Sequence, residues 1–367
     1  MPHFFQQILS WRKIHRGLSF GSLGIVFLWG GMIQIGADAF LHPSRRSMEP
    51  RHRSILQHPI DHGMKLRPFS ATTADGAILE AIEILPAPFK DWGTATNSRA
   101  MRARLEAKKR LPSSSPGTIV MSHGRSGIKE DQFPIAERFV AAGFRCLVYD
   151  LRAHGQSGGA ATTYGHLETS DLACVLEAAG LPPDEPLFAF GISLGAAVTL
   201  QYLPSDSRIR RAAVVAPFSN LLETTRIAAR NKFHFEIPAV VPLATWWAGQ
   251  QASFDPWKIS PLAAAAKISQ PIMIVHGDSD GVIPLKQGRQ VFEAISSPAK
   301  CWRLVPGGTH RAVLATGGDQ LYEEILSFFL DDSFPRTCDQ SSSEGEGSSP
   351  ESIDRVKPPT GFPSASG

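Results

Sequence analysis

One serine of this chain lies in a sequence that would make it a nucleophile. Ser193 is the centre of the pentapeptide Gly191-Ile192-Ser193-Leu194-Gly195, directly after an apolar run typical of a buried strand. A Gly-x-Ser-x-Gly sequence between a strand and a helix forces the serine onto a sharp turn and exposes its Oγ. The two glycines are needed because a Cβ at either position would clash where the strand and the helix meet. The pentapeptide alone is weak evidence for a nucleophile. A base and an acid must also be present at suitable positions.

A nucleophilic serine needs a base, and the base needs an acid that orients it. The apolar run 271–277 predicts a buried strand that leads into Asp278 and Asp280. The apolar run 301–306 predicts another strand, which leads to His310. The order Ser, Asp, His differs from the chymotrypsin and subtilisin orders and is the one found in α/β hydrolases.

Through these residues the chain resembles the α/β-hydrolase superfamily, from about Lys65 to Leu330. Segment 276–284 (HGDSDGVIP) is similar to the family signature H-G-x-x-D-x-x-[VI]-P, which makes Asp280 the triad acid and leaves Asp278 as its rival. His310 closes a G-x-x-H arrangement like that of the family. Segment 150–157 (DLRAHGQS) matches the family's D-x-R-G-H-G-x-S except at Ala153, a change expected to alter a loop and not the chemistry.

The same resemblance implies an oxyanion hole, which requires two backbone N–H groups aimed at the developing negative charge. One donor is the amide of Leu194, at the unpaired first turn of the helix after the nucleophile. The loop 123–127 (HGRSG) is similar to the family's H-G-x-x-G, so the second donor is expected to be the Arg125 amide, with Ser126 as the alternative. The Arg125 side chain is either a solvated surface group or a ligand for an anionic substrate.

Purely structural roles are the alternatives for these residues. Ser193 could be a helix N-cap, and His310 could be a turn histidine packed on its neighbours. The histidines at 123, 154 and 276 are interpreted as structural residues that bind loop carbonyls. No H-E-x-x-H or C-x-x-C motif is present, so neither a metal nor another cofactor is expected. The four cysteines indicate no disulfide framework, and those at 146, 174 and 301 are interpreted as small apolar residues.

Apolar strands alternate with helices from Gly117 onward, which predicts an α/β fold with a mostly parallel, doubly wound sheet. The resemblance sets the sheet at about eight strands. Residues 65–332 are assigned to one hydrolase domain that opens with a hairpin at Asp75-Gly76. A basic segment, about 97–110, is expected to be a solvated surface helix. The aromatic-rich stretch 220–267 breaks the alternation and lies where the family inserts a small helical cap.

Both ends of the chain differ from the hydrolase domain. Residues 1–16 are basic, and 17–39 form a hydrophobic segment, uncharged from 17 to 36, expected to be a membrane anchor or a signal sequence. Basic residues flank this segment on both sides, so the side of the membrane stays open, and export of the hydrolase domain is favoured. Residues 333–367 are rich in Ser, Pro, Gly and Glu and are expected to be disordered.

The expected activity is that of a serine hydrolase that cleaves an ester, thioester or amide through an acyl-enzyme. The aromatic cap favours a hydrophobic or lipid-like acyl substrate, whereas a net charge of +3 is too small to indicate a nucleic-acid partner. Acyl transfer to another acceptor by the same triad, a serine peptidase and a non-catalytic binding protein are the alternatives. The sequence does not specify an oligomeric state.

Overall fold

The computed structural model describes residues 20–233, 239–334 and 337–340. Within these ranges nine strands form one sheet: β1 (Met64–Thr72), β2 (Ile78–Pro86), β3 (Thr118–Ser122), β4 (Arg145–Tyr149), β5 (Leu187–Ile192), β6 (Ile209–Val215), β7 (Ile272–Gly277), β8 (Lys300–Val305) and β9 (Thr337–Gln340). The strand order is β1-β2-β4-β3-β5-β6-β7-β8-β9. Strand β2 is antiparallel to both β1 and β4, and every later pairing is parallel. The predicted mostly parallel α/β sheet is confirmed.

Two helices precede the first strand, α1 (Phe20–Leu41) and α2 (Pro50–Gln57). The others lie between strands: α3 (Asn97–Ala107), α4 (Phe133–Ala141), α5 (Glu168–Ala178), α6 (Leu194–Tyr202), α7 (Leu221–Phe233), α8 (Val240–Gln251), α9 (Pro261–Ala265), α10 (Leu285–Ala294) and α11 (Val313–Leu330). They cover both faces of the sheet, and two buried apolar clusters result, one on each face. The central strands β3 and β7 are buried at every residue, as expected of strands covered on both faces.

Helices α7, α8 and α9 connect β6 to β7, in the stretch where the sequence predicts a cap. Residues 234–238 of that stretch, and the whole of the predicted segment 1–16, lie outside the described residues. The predicted hydrophobic segment 17–39 is described only from Phe20, where it forms most of α1. No helix in the described ranges has both the length and the apolarity that crossing a membrane requires.

The expectation of a solvated basic helix near 97–110 is wrong on one face of α3. Met101 and Leu105, four residues apart, are fully buried in the cluster beneath the sheet. Next to them, Arg104 and Lys108 form ion pairs with the buried carboxylate of Glu323 in α11. The abundant arginines hide this amphipathic pattern in the sequence, because only two large apolar side chains carry it.

The interpretation of the cysteines is also corrected. Cys301 of β8 forms a disulfide with Cys338, 37 residues later in the chain. Residues 337–340, which the sequence places in the polar tail, form the edge strand β9, parallel to β8. The disulfide joins directly paired residues of the two strands, so it fastens a polar segment that has little apolar surface of its own. The remainder of the predicted tail, 341–367, lies outside the described residues.

Candidate active site

The structure brings three side chains that are far apart in the chain into one hydrogen-bonded series. Ser193 Oγ lies 3.0 Å from His310 Nε2, and His310 Nδ1 lies 2.7 Å from Asp280 Oδ2. In the tautomer that this geometry favours, Nδ1–H donates to the carboxylate and Nε2 accepts from the serine hydroxyl. Ser193, Asp280 and His310 follow β5, β7 and β8, so parallel strands deliver all three to the same edge of the sheet.

The turn that carries Ser193 is strained in the way that the pentapeptide predicts. Ser193 has φ 54° and ψ −111°, a region that non-glycine residues rarely adopt. A Cβ on Gly195 would lie 2.1 Å from the carbonyl oxygen of Ser122, and one on Gly191 would lie 2.5 Å from that of Gly195. Glycine is therefore required at both positions for β5 and α6 to close. Ser193 precedes α6 but makes no capping hydrogen bond, since its Oγ faces His310.

The two rival carboxylates of the β7 loop have different surroundings. Asp280 is buried, and its Oδ1 accepts hydrogen bonds from the amides of Val282 and Ile283, while Oδ2 faces His310. Asp278 is exposed and accepts from Ser279 Oγ and the Gly307 amide instead. The geometry therefore favours Asp280 as the partner of the histidine.

The charge state of Asp280 fits that position. Burial raises the pKa of its carboxyl, but the hydrogen bond and charge of His310 and the amides of Ile283 and Val282 lower it by more. The net pKa lies below the ordinary value for aspartate. Asp280 is therefore an anion at neutral pH, as an acid that orients a histidine must be.

The expected oxyanion loop passes directly against the nucleophile. A Cβ on Gly124 would lie 3.5 Å from that of Ser193. Gly127 N–H donates to Gly124 O at 2.9 Å, which closes a turn with Arg125 and Ser126 at its centre and Ser126 at φ 59°. On the other side of Ser193, Leu194 is the first residue of α6, so its amide has no carbonyl one turn earlier in the helix.

The Arg125 side chain is engaged within the chain. Its guanidinium donates to the carbonyl of Ala39 at the end of α1 and, at 3.1 Å, to the hydroxyl of Tyr164. Arg125 is exposed, as expected of a surface arginine, and its guanidinium is in addition held by these two groups of the chain. The Tyr164 hydroxyl in turn donates to the carbonyl of Phe40 at 2.8 Å. These hydrogen bonds connect the oxyanion loop to the N-terminal helix, a contact that no motif in the sequence indicates.

Known proteins are similar to this chain in sequence or in fold. A family model described as serine aminopeptidase, S33, matches residues 113–252. The monoacylglycerol lipase of Mycolicibacterium smegmatis is 25% identical over 266 residues, which cover 60% of this chain and 90% of the lipase. An esterase of Pyrococcus furiosus shares the fold with a TM-score of 0.58 at 18% identity, covering 79% of this chain and 97% of the esterase. The chain is an α/β hydrolase. The uncharacterized protein YqkD of Bacillus subtilis (strain 168) is 27% identical over 226 residues, 60% of this hydrolase and 73% of YqkD.

Three further histidines of this α/β hydrolase surround the site and act as structural residues. His123 Nδ1 donates to the Gly124 carbonyl, and its Nε2 accepts the Leu151 amide. His154 Nδ1 donates to the Arg152 carbonyl. His276 Nε2 donates to the Ile283 carbonyl at 3.0 Å and lies 3.5 Å from Asp280 Oδ2, so it supports the acid loop. In the part of the chain that the structure describes, no three His, Cys, Asp or Glu residues are grouped to hold a metal ion.

These buried histidines predict a loss of stability in acid. Burial lowers the pKa of His123 and His276 and lowers that of His154 to about 3. The unfolded chain takes up protons below pH 6.5, whereas the folded chain does not, so the stability present above that pH is lost as pH falls. For His154 the loss between pH 7.5 and 5 is about 2 kcal/mol. Urea unfolding at both pH values should show His154→Asn losing about 2 kcal/mol less than wild type. An identical loss in the variant would refute this explanation.

Ala153, the one departure from the family's D-x-R-G-H-G-x-S pattern, lies where glycine is conformationally favoured. Its φ is 60°, and its amide donates to the Gly158 carbonyl at 2.8 Å. Because an L-residue in this conformation costs roughly 1–2 kcal/mol, Ala153→Gly is expected to raise the free energy of unfolding by about 1 kcal/mol. Ala100→Gly, on the exposed face of α3, should lower it by about as much. Chemical denaturation measures both, and a destabilised Ala153→Gly would contradict the assignment of strain.

Proposed function

We propose that this α/β hydrolase cleaves carboxylic esters with a hydrophobic acyl group through an acyl-enzyme intermediate. The observation that carries the proposal is the series Ser193–His310–Asp280, with heavy-atom distances of 3.0 and 2.7 Å. A serine hydroxyl within hydrogen-bonding distance of a carboxylate-oriented histidine is the arrangement required for general-base activation.

The proposed reaction proceeds in two halves. Ser193 Oγ attacks the ester carbonyl while His310 Nε2 takes its proton, and Asp280 stabilises the resulting imidazolium. The amides of Leu194 and Arg125 stabilise the tetrahedral oxyanion. The imidazolium then protonates the departing alcohol, which leaves the acyl group on Ser193. Water, deprotonated by His310, attacks that acyl group and releases the acid.

An ester is favoured over an amide by the relatives, of which one is named a monoacylglycerol lipase and one fold neighbour an esterase. The serine aminopeptidase model favours the alternative of an aminoacyl amide substrate. The position of the aromatic-rich stretch 220–267, between the strand that follows the nucleophile and the strand that leads to the acid, favours an apolar acyl group.

Pre-steady-state kinetics test the mechanism and the substrate class together. Rapid mixing with p-nitrophenyl esters of increasing acyl length should release a burst of nitrophenol equal to the active sites, with kcat/KM rising with chain length. Aminoacyl p-nitroanilides, at matched concentration, should be poor substrates. Added alcohols would reveal acyl transfer as a new ester at the expense of free acid. Faster cleavage of the anilides would replace the esterase proposal by the peptidase alternative.

We further propose that the hydrolase domain is exported. The Cys301–Cys338 disulfide supports this, since disulfides persist mainly in oxidising compartments. Alkylation in denaturant without reductant, after the cells are quenched in acid, should modify only Cys146 and Cys174, which are free in the structure. Alkylation of Cys301 and Cys338 in the same denatured, unreduced sample would contradict export to an oxidising compartment.

A further inference from the structure

The N-terminal helix α1 and the cap helix α8 share an exposed apolar surface. Its large side chains are between 37% and 66% exposed, and we call them the helix-pair face: Leu28, Trp29, Ile35, Leu243, Trp246 and Trp247. Single exposed apolar residues are ordinary on protein surfaces, but a group of six on two contacting helices is not. Three of the six are tryptophan, the side chain enriched where proteins meet the bilayer interface.

Close packing makes the two helices one surface. Gly36 has no Cβ, and one placed there would lie 2.8 Å from Ala244 Cβ, so glycine allows α8 to approach α1. Trp247 Nε1 donates to Gln34 Oε1 at 2.7 Å, and Gln251 Nε2 donates to the same oxygen at 3.1 Å. The polar edge of the Trp247 indole is therefore satisfied by α1, which leaves its apolar body exposed.

The charge pattern of the chain around this surface is that of a lipid-binding segment. Along the 34 residues of α1 and α8, the single ionisable side chain is Asp38, near the end of α1. In the sequence, α1 begins with the apolar run 20–27, and Arg12, Lys13 and Arg16 precede it. A segment that has an exposed apolar surface and is preceded in the sequence by a cluster of cations complements a bilayer that carries anionic headgroups.

The helix-pair face also borders the loops of the active site. The end of α1 accepts the Arg125 guanidinium of the oxyanion loop through the Ala39 carbonyl. The cap helix α7, next to α8 in the chain, donates from Asn231 Nδ2 to the Gly281 carbonyl at 2.7 Å, beside Asp280. A surface docked on these two helices would therefore lie beside the loops that hold the triad.

We propose that the helix-pair face docks on an anionic lipid bilayer, so that acyl substrates reach Ser193 from the lipid phase. The second part rests on the esterase activity proposed above, whereas the docking itself does not. A second copy of the chain is the competing occupant, and the experiment separates the two.

The test uses the full chain with Ser193→Ala, so that binding is measured without turnover. Vesicles of phosphatidylcholine with phosphatidylglycerol are sedimented with the protein, and vesicles of phosphatidylcholine alone serve for comparison. Leu243→Ser/Trp246→Ser is expected to weaken partitioning into the anionic vesicles by at least about tenfold, because both side chains lose their contact with lipid. Ile78→Ser, which removes an equally exposed apolar side chain in β2, should leave partitioning unchanged. Brominated lipids should quench the tryptophan fluorescence of the parent protein and quench the double variant less.

Equal partitioning of the double variant and its parent, or binding indifferent to phosphatidylglycerol, would overturn the proposal. A shift from dimer to monomer in the double variant, with unchanged vesicle binding, would assign the face to a second copy. With Ser193 present, the double variant should hydrolyse soluble p-nitrophenyl acetate at the wild-type rate and lose activity on long-chain esters held in vesicles. Absence of all ester hydrolysis in the wild type would refute the esterase proposal and leave the binding result standing.

Discussion

Replacing Ser193 by alanine is expected to lower kcat/KM for p-nitrophenyl esters by at least about 10⁴-fold. The substitution removes the one oxygen that lies 3.0 Å from His310 Nε2, so no acyl-enzyme can form. The protein should keep its fold, since the Ser193 side chain makes no capping bond to α6. Steady-state hydrolysis and the amplitude of the nitrophenol burst measure the effect, and the burst should vanish altogether.

Ser126→Ala is a suitable control for this experiment. Ser126 lies in the neighbouring oxyanion loop, and its hydroxyl contacts Ser44 at 3.4 Å, away from His310. The Ser126 backbone amide stays in place, so hydrolysis should remain within about threefold of wild type. Residual activity of Ser193→Ala comparable with that of Ser126→Ala would assign the nucleophile elsewhere.

The second large effect is expected at the acid. Asp280→Asn should lower kcat by about 10⁴-fold, because an amide neither fixes the Nδ1–H tautomer of His310 nor stabilises the imidazolium. Asparagine keeps the size of the side chain and one oxygen to accept the Val282 and Ile283 amides. The loss should therefore appear in kcat, with KM changed little. Steady-state kinetics at neutral pH provide the measurement.

Asp278→Asn is the matched control, two residues earlier in the same loop. Asp278 bonds Ser279 and the Gly307 amide and makes no contact with His310 in the described structure. Its amide variant should retain activity to within about tenfold. A larger loss of kcat in Asp278→Asn than in Asp280→Asn would make Asp278 the triad acid.

The sequence predicts the centre of the molecule well because local rules govern it. Strands buried on both faces require continuous apolar runs such as 118–122 and 272–277, which are visible without any partner. The turn at Ser193 requires Gly191 because a Cβ there would meet the Gly195 carbonyl, within the same pentapeptide, and the pentapeptide pattern makes the turn recognisable in the sequence. Parallel strands then bring their carboxyl ends together, so the order Ser, Asp, His is enough to place the site at one edge.

The sequence predicts the periphery less well because contacts between distant segments decide it. The pairing of Cys338 with Cys301 depends on a strand register that no local pattern reveals. The contact of Arg125 with Ala39 joins residues 86 positions apart, and the H-G-x-x-G motif that contains Arg125 does not indicate this partner. Met101 and Leu105 find their partners only after α3 has packed beneath the sheet. Each of these features depends on tertiary geometry, which motif and composition do not encode.

The most direct test of the account is the site of covalent modification by a fluorophosphonate. Intact-mass spectrometry of the wild-type protein should show one phosphonyl adduct, and peptide sequencing should locate it on Ser193. Prior modification should abolish ester hydrolysis in proportion to occupancy, and Ser193→Ala should gain no mass. An adduct on another residue, or no adduct on a protein that still hydrolyses esters, would contradict a Ser193–His310–Asp280 catalytic centre.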